Sequence, residues 1–225
     1  RQVAALAGVD LAVAKGSFVT IVGKSGCGKT TLLRIIAGLE RQSAGTAVFD
    51  PPAARIGMVF QEPRLLPWLT VEQNMALALR GRDKAGAGRT VERYLDMLGL
   101  AGFAKAYPGQ ISGGMAQRVA LGRVLCYNAD IILMDEPLSA LDAFTRRTLQ
   151  EELVDIFLRH EKTILFVTHD VDEAVIMGQR VVVMDAGRVV REFAVPFPYP
   201  RAPGGEPFYR LRESLLASIR GETDK

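Results

Sequence analysis

Residues Gly23-Lys24-Ser25-Gly26-Cys27-Gly28-Lys29-Thr30 fit the pattern G-x-x-x-x-G-K-[ST] completely. The residue types suit the binding of phosphate. Glycines let the backbone wrap closely, so that successive N–H groups face an anion. A helix starting near Lys29 brings the positive end of its dipole to the same place. Lys29 adds a full charge suited to β- and γ-phosphates, and Thr30 offers a hydroxyl suited to Mg²⁺. Cys27 holds a variable position of the loop and has no catalytic role in this reading. Further along, the apolar run 131–134 ends in Asp135 and Glu136. Asp135 suits Mg²⁺ held through water. Glu136 suits a general base acting on water, a role typically worth about 10²–10⁴ in rate. Ser112-Gly113-Gly114 stands just before a helical pattern. A capping serine and two glycines again let backbone N–H groups approach an anion. Alone, that segment reads more simply as an ordinary capped helix start.

These residues need a frame, and the hydrophobic pattern supplies one. The run 18–22 (FVTIV) ends at Gly23 and reads as a buried strand. Residues 30–39 follow with helical spacing of Leu32, Leu33, Ile36 and Leu39. Further strands are predicted at 46–49, 56–60, 131–134, 163–168 and 181–184. The runs IILM, TILFVT and VVVM are nearly all apolar, as strands covered on both faces should be. Helical patterns at 116–127 and 143–159 separate them. Such alternation predicts an α/β fold with a mainly parallel sheet. From 71 to 100 two amphipathic helical patterns flank a Gly-rich turn at 81–88 with no strand between them. A helical lobe inserted over about 62–110 follows. Asp185-Ala186-Gly187 predicts a hairpin turn and hence an antiparallel β region. The Pro-rich stretch 196–207 opens a tail, about 195–225, whose helix carries Leu211, Leu215, Leu216 and Ile219 on one face.

Composition narrows the class. The chain has 225 residues, 48% of them hydrophobic and 24% charged, which describes one globular domain over 1–225. The net charge of +3 is too small to indicate a nucleic-acid partner. The two cysteines, Cys27 and Cys126, make no disulfide framework and read as reduced thiols. No apolar run reaches the roughly 18 residues of a membrane-spanning helix.

Loop and acidic strand together leave kinases, GTPases and helicases open. The segment between them decides, because Ser112-Gly113-Gly114-Met115-Ala116-Gln117 resembles the signature of the ATP-binding-cassette (ABC) ATPases. The resemblance covers about residues 3–194, with the motifs in the family's order. It implies a P-loop NTPase core, with ATP and Mg²⁺ bound. Gln61 matches the glutamine that senses Mg²⁺ and water and hinges the helical lobe. Ser139-Ala140-Leu141-Asp142 matches the D-loop, and His169 the switch histidine at the γ-phosphate. The implied catalytic residues are Glu136, His169 and Gln61, and the implied metal residues are Thr30, Gln61 and Asp135. The implied nucleotide set is Gly23, Lys24, Ser25, Gly26, Cys27, Gly28, Lys29, Thr30, Thr31, Ser112, Gly113, Gly114, Gln117 and Asp142. Two copies are expected to pair head to tail, each clamping an ATP between one loop and the other copy's signature. An aromatic that stacks on adenine is expected upstream of residue 1, since Arg1, Gln2 and Val3 are not aromatic.

The segment 61–74 resembles that of importers of the nitrate, sulfonate and taurine group, and so does the tail PFYRLRESLLASI. The resemblance implies separate transmembrane permease subunits, a periplasmic or extracellular solute-binding protein acting indirectly, and a place on the cytoplasmic face of a bacterial cell membrane. Leu65, Leu66, Trp68 and Leu69 are expected to form an apolar patch for a permease helix. Two rivals stay open: an ABC ATPase of an exporter or lipid-handling complex, and a soluble non-transport ABC ATPase.

Overall fold

The computed structural model describes residues 4–79 and 84–222. Its strands are β1 (Phe18–Gly23), β2 (Ile56–Val59), β3 (Ile131–Asp135), β4 (Thr163–Val167), β5 (Arg180–Asp185) and β6 (Arg188–Ala194). Its α-helices are α1 (Lys29–Ile36), α2 (Val71–Ala76), α3 (Lys84–Met97), α4 (Gly113–Tyr127), α5 (Ala143–His160), α6 (Val171–Met177) and α7 (Glu206–Arg220). The sheet runs β2-β3-β4-β1-β5-β6. All neighbours are parallel except β5 and β6.

Alternation along the strands sorts the core into two layers. Val19 and Ile21 of β1 face α1, joining Leu32, Leu33, Leu133 and Leu165. Phe18 and Val22 face the other way, into the larger core that includes residues of α4, α5, α6 and α7. Strands β1 and β4 are buried at every residue, as expected of apolar strands covered on both faces. The hairpin forms at Ala186-Gly187, where φ is 45° and 76°. Two successive left-handed residues match the twist of the flanking strands.

Three expectations are corrected. Residues 46–49 form no strand, and Val48 is 86% exposed. A β-branched run becomes a strand only with a partner edge, and none lies beside it among the described residues. Helix α1 stops at Ile36 rather than Leu39, because Gly38 takes a left-handed conformation (φ 71°) that ends the helix. The Gly-rich turn expected at 81–88 is helical from Lys84 onward, so Gly86 and Gly88 lie inside α3, while 81–83 lie outside the described residues. The helical lobe otherwise appears as expected. Thr70 starts α2 with a full capping box to Gln73, and α2 and α3 both pack on α4.

Candidate functional site

The chemistry-bearing residues gather at the C-terminal edge of the parallel strands, where open α/β sheets bind ligands. Strand β1 ends at Gly23 and α1 begins at Lys29, so residues 24–28 form a tight loop between them. Gly23 is required there. A Cβ would stand 2.1 Å from the Met184 carbonyl oxygen. Gly28 caps α1 at φ 104°, and a Cβ on it would meet the Ala5 carbonyl oxygen at 2.5 Å. Lys29 is only 6% exposed. Its Nζ donates to the carbonyl oxygens of Gly23 at 2.8 Å and Lys24 at 3.0 Å, so its charge sits inside the ring of the loop. Phosphate oxygens entering that ring offer charged, and therefore stronger, acceptors than these neutral carbonyls.

Asp135 ends β3 opposite Thr30, whose hydroxyl donates to Asp135 Oδ1 at 3.0 Å. Burial raises the Asp135 carboxyl above the usual range, and the neighbouring Glu136 charge adds to that. A half-buried carboxyl destabilised in this way suits a cation. No three His, Cys, Asp or Glu cluster into a metal cage among the described residues. Mg²⁺ needs no such cage, because it keeps waters and takes oxygens from a phosphate. The Thr30 and Asp135 oxygens therefore fit Mg²⁺.

Glu136 adopts φ 46°, a left-handed conformation uncommon for a non-glycine residue. Its N–H donates to the Val167 carbonyl at 3.0 Å, which ties it to the end of β4. The side chain then meets His169, with Nδ1 2.9 Å from Glu136 Oε2. Facing a carboxylate, the ring is expected in the tautomer that donates from Nδ1. Gln61 enters from the end of β2. Its Nε2 donates to Ser139 Oγ at 3.1 Å, and Ser139 Oγ donates to the Glu136 carbonyl at 2.9 Å. Gln61, Ser139, Glu136 and His169 are thus one hydrogen-bonded chain. Ser139 stood in the sequence only as the first residue of the D-loop-like segment, and its part as the link in this chain had no signature there.

The remaining expected residues lie elsewhere. Ser112 caps α4 by accepting from Met115 N at 3.2 Å, leaving Gly113 exposed. No hydrogen bond joins 112–114 to the 23–31 loop among the described residues. Gln117 holds the last position of that segment's motif. It is buried, and its Nε2 donates to the Phe60 carbonyl at 3.0 Å, tying α4 to the residue before Gln61. Asp142 accepts from Phe144 N at 3.1 Å and Thr145 N at 3.0 Å as the cap of α5, and the bond from Thr145 N–H holds its carboxyl below the usual range. Cys27 and Cys126 are both buried free thiols. Sequence reasoning missed Arg146 and Glu173, which lie with Ser139, Glu136 and His169 around one small cleft.

Comparison with known proteins agrees with this geometry. The ABC transporter family model matches residues 6–139. The chain is 44% identical over 223 residues to the aliphatic sulfonates import ATP-binding protein SsuB of Bacillus cereus, covering 96% of this chain and 88% of that protein. It is 46% identical over 220 residues to SsuB 1 of Agrobacterium fabrum, covering 97% and 79%. Among solved structures it resembles a dimeric post-hydrolysis state of the ATP-binding cassette MJ0796 bound to ADP and Pi. There the TM-score is 0.78 and the identity 34%, over 87% of this chain and 93% of that one. CbiO1 of Clostridium perfringens, part of the cbiONQ complex, gives a TM-score of 0.79 at 25% identity, over 95% and 86%. Sheet order and phosphate loop define a P-loop nucleotide hydrolase. The chain belongs to the ABC transporter family and is an ATP-binding ATPase.

Proposed function

We propose that this chain pairs head to tail with a second copy around two ATP molecules and powers uptake of a small oxyanion, such as a sulfonate, taurine or nitrate, through separate membrane permease subunits. The observation that carries the hydrolytic part is the 2.9 Å contact of His169 with Glu136 at the mouth of the loop. In this reading the loop N–H groups, Lys29 and the α1 N-terminus hold the triphosphate. Thr30 and Asp135 would hold Mg²⁺, which supplies charge neutralisation on the phosphates. Glu136 takes a proton from the attacking water. His169 orients Glu136 and contacts the γ-phosphate. Gln61 reports the state of that centre to the helical lobe. Ser112, Gly113 and Gly114 complete the partner copy's site, which is why they stand apart from this copy's loop.

The solute rests on the sulfonate relatives, because solute selection belongs to other subunits. Coupling rests on Trp68. The apolar patch is smaller than the sequence implies: Leu65 packs against the core, Leu66 and Leu69 are half-buried, and Trp68 alone is 69% exposed. An indole left in solvent next to the Gln61 segment suits a docking helix from a permease. The permease would place the chain on the cytoplasmic face of a cell membrane, with a solute-binding protein outside. No described helix is long and apolar enough to cross the membrane itself.

The test is reconstitution with the cognate permease and binding protein in proteoliposomes. Sulfonates, taurine or nitrate should stimulate ATP turnover. Stimulation by sugars or amino acids alone would discard the solute. Trp68→Asp should spare the basal ATPase of the isolated chain and abolish the stimulation, since a charge would enter a desolvated contact. Loss of basal activity in the isolated chain would remove the docking claim.

A further inference from the structure

Helix α5 starts one residue after Asp142, and α6 starts two residues after His169. Two side chains of α5, one turn apart on one face, reach toward the start of α6. Arg146 Nη2 donates to the Leu141 carbonyl at 2.9 Å, and Nη1 lies 3.9 Å from Asp170 Oδ2. Gln150 Nε2 donates to Glu173 Oε1 at 3.0 Å. Asp170 is itself fixed. Its Oδ1 accepts from Asp172 N at 2.9 Å and Glu173 N at 3.1 Å, and its own N–H donates to Thr168 Oγ1 at 3.0 Å. His169 therefore sits between two residues, Thr168 and Asp170, that are bonded to each other and braced from α5.

Arg146 is the part of this brace with a second attachment. It grips the backbone of Leu141, directly before Asp142, while its charge faces Asp170, directly after His169. Its Nε is buried without an acceptor among the described residues, so the guanidinium is held there at a cost. A side chain that only packed the helices would not need to spend a buried donor beside the cleft shared by Glu136, Ser139 and His169. The other charged groups facing the brace are Glu173 beneath it and Asp172, which is paired with Arg212 of α7.

We propose that Arg146 is a positioning residue that couples the 139–142 loop to His169, so that displacement of that loop alters how the histidine meets Glu136. The proposal rests on the role given to His169. The 139–142 loop otherwise reaches His169 through Ser139 and Glu136, and the Glu136 N–H ties the end of β3 to the Val167 carbonyl of β4. Arg146 gives the two loops a direct charged link, and small displacements of a catalytic group cost up to about 10²-fold in rate.

The test uses the purified chain, with steady-state phosphate release and binding of a fluorescent ATP analogue. Arg146→Gln should lower kcat roughly tenfold while leaving KM and analogue affinity within about twofold. Arg146→Lys should recover part of the rate, because it keeps a charge for Asp170. In a His169→Ala background, Arg146→Gln should cost less than about twofold further, since residues acting through one another are not additive. Thermal midpoints are measured on each variant. An unchanged kcat in Arg146→Gln overturns the proposal. So does a kcat that simply follows the thermal midpoint across the Gln and Lys variants. An impaired His169→Ala to which Arg146→Gln adds its full loss overturns the proposal alone. A His169→Ala variant with full activity overturns the assignment of the histidine as well.

Discussion

Introducing a carboxylate at Gly113 tests whether the 112–114 segment acts on a partner's nucleotide. Gly113 opens α4, is exposed, and has no atom within 4 Å of where a Cβ would stand. Its neighbour Gly114 is a poorer probe. It is buried, and a Cβ there would come within 2.4 Å of Thr145 Cγ2, so any substitution first disturbs the packing of α4 on α5. Gly113→Asp should leave the fold intact. An acidic residue in the first turn of a helix even stabilises it, by about 0.3–1 kcal/mol. In the paired state the same carboxylate would face a triphosphate. At about 4 Å and an effective dielectric near 20, each unit of like charge costs about 4 kcal/mol. A dimer holds two such sites, so one unit at each costs about 8 kcal/mol, roughly a millionfold in the dimerisation constant. The assay is sedimentation of the Gly113→Asp, Glu136→Gln double variant with ATP, beside Glu136→Gln alone. ATP should bind both, and only Glu136→Gln should dimerise. A double variant that dimerises within about tenfold of its parent would refute the composite site. High salt should partly restore pairing, because the repulsion is screened.

Two other outcomes follow from the site. Glu136→Gln should keep ATP binding and the contact to His169, since the amide oxygen still accepts, but lose about 10²–10⁴ in turnover measured by phosphate release. Glu173 is 4% exposed, and burial raises its carboxyl pKa above the ordinary 4.5. The folded chain then binds that proton more tightly than the unfolded one. The associated stability is present below pH 4.5 and is lost as pH rises through the raised value. Thermal midpoints from pH 5 upward should fall more for wild type than for Glu173→Gln, and parallel curves would show that Glu173 is ionised without cost.

Short-range chemistry was legible in the sequence. A backbone that closes on phosphate needs glycine at Gly23 and Gly28, and a charge at Lys29, at fixed spacing, so the loop announces itself. Ala186-Gly187 likewise has to be a tight turn between two β-branched runs, and it is. Apolar strands read as apolar runs because both faces are covered, which gave β1, β3, β4 and β5 before any contact was known. The run 46–49 looked the same and formed nothing, because strand propensity is realised only on a partner edge, and partners are set by the whole sheet. The same limit applies to the side chains. Gln117 carried a motif position, yet the fold points it at the Phe60 carbonyl. Trp68 stands alone where four apolar residues suggested a patch, because Leu65 found the core. Arg146 and Glu173 carried no signal, and Ser139 carried a motif position but not its link to Gln61, since what they do depends on which strands end side by side. The sequence by itself determined the residues able to hold phosphate and move a proton, because that capacity resides in residue type and local spacing. Only the tertiary structure decided which of them meet, because β3 and β4 are adjacent strands that deliver Glu136 and His169 from 33 residues apart to within 2.9 Å.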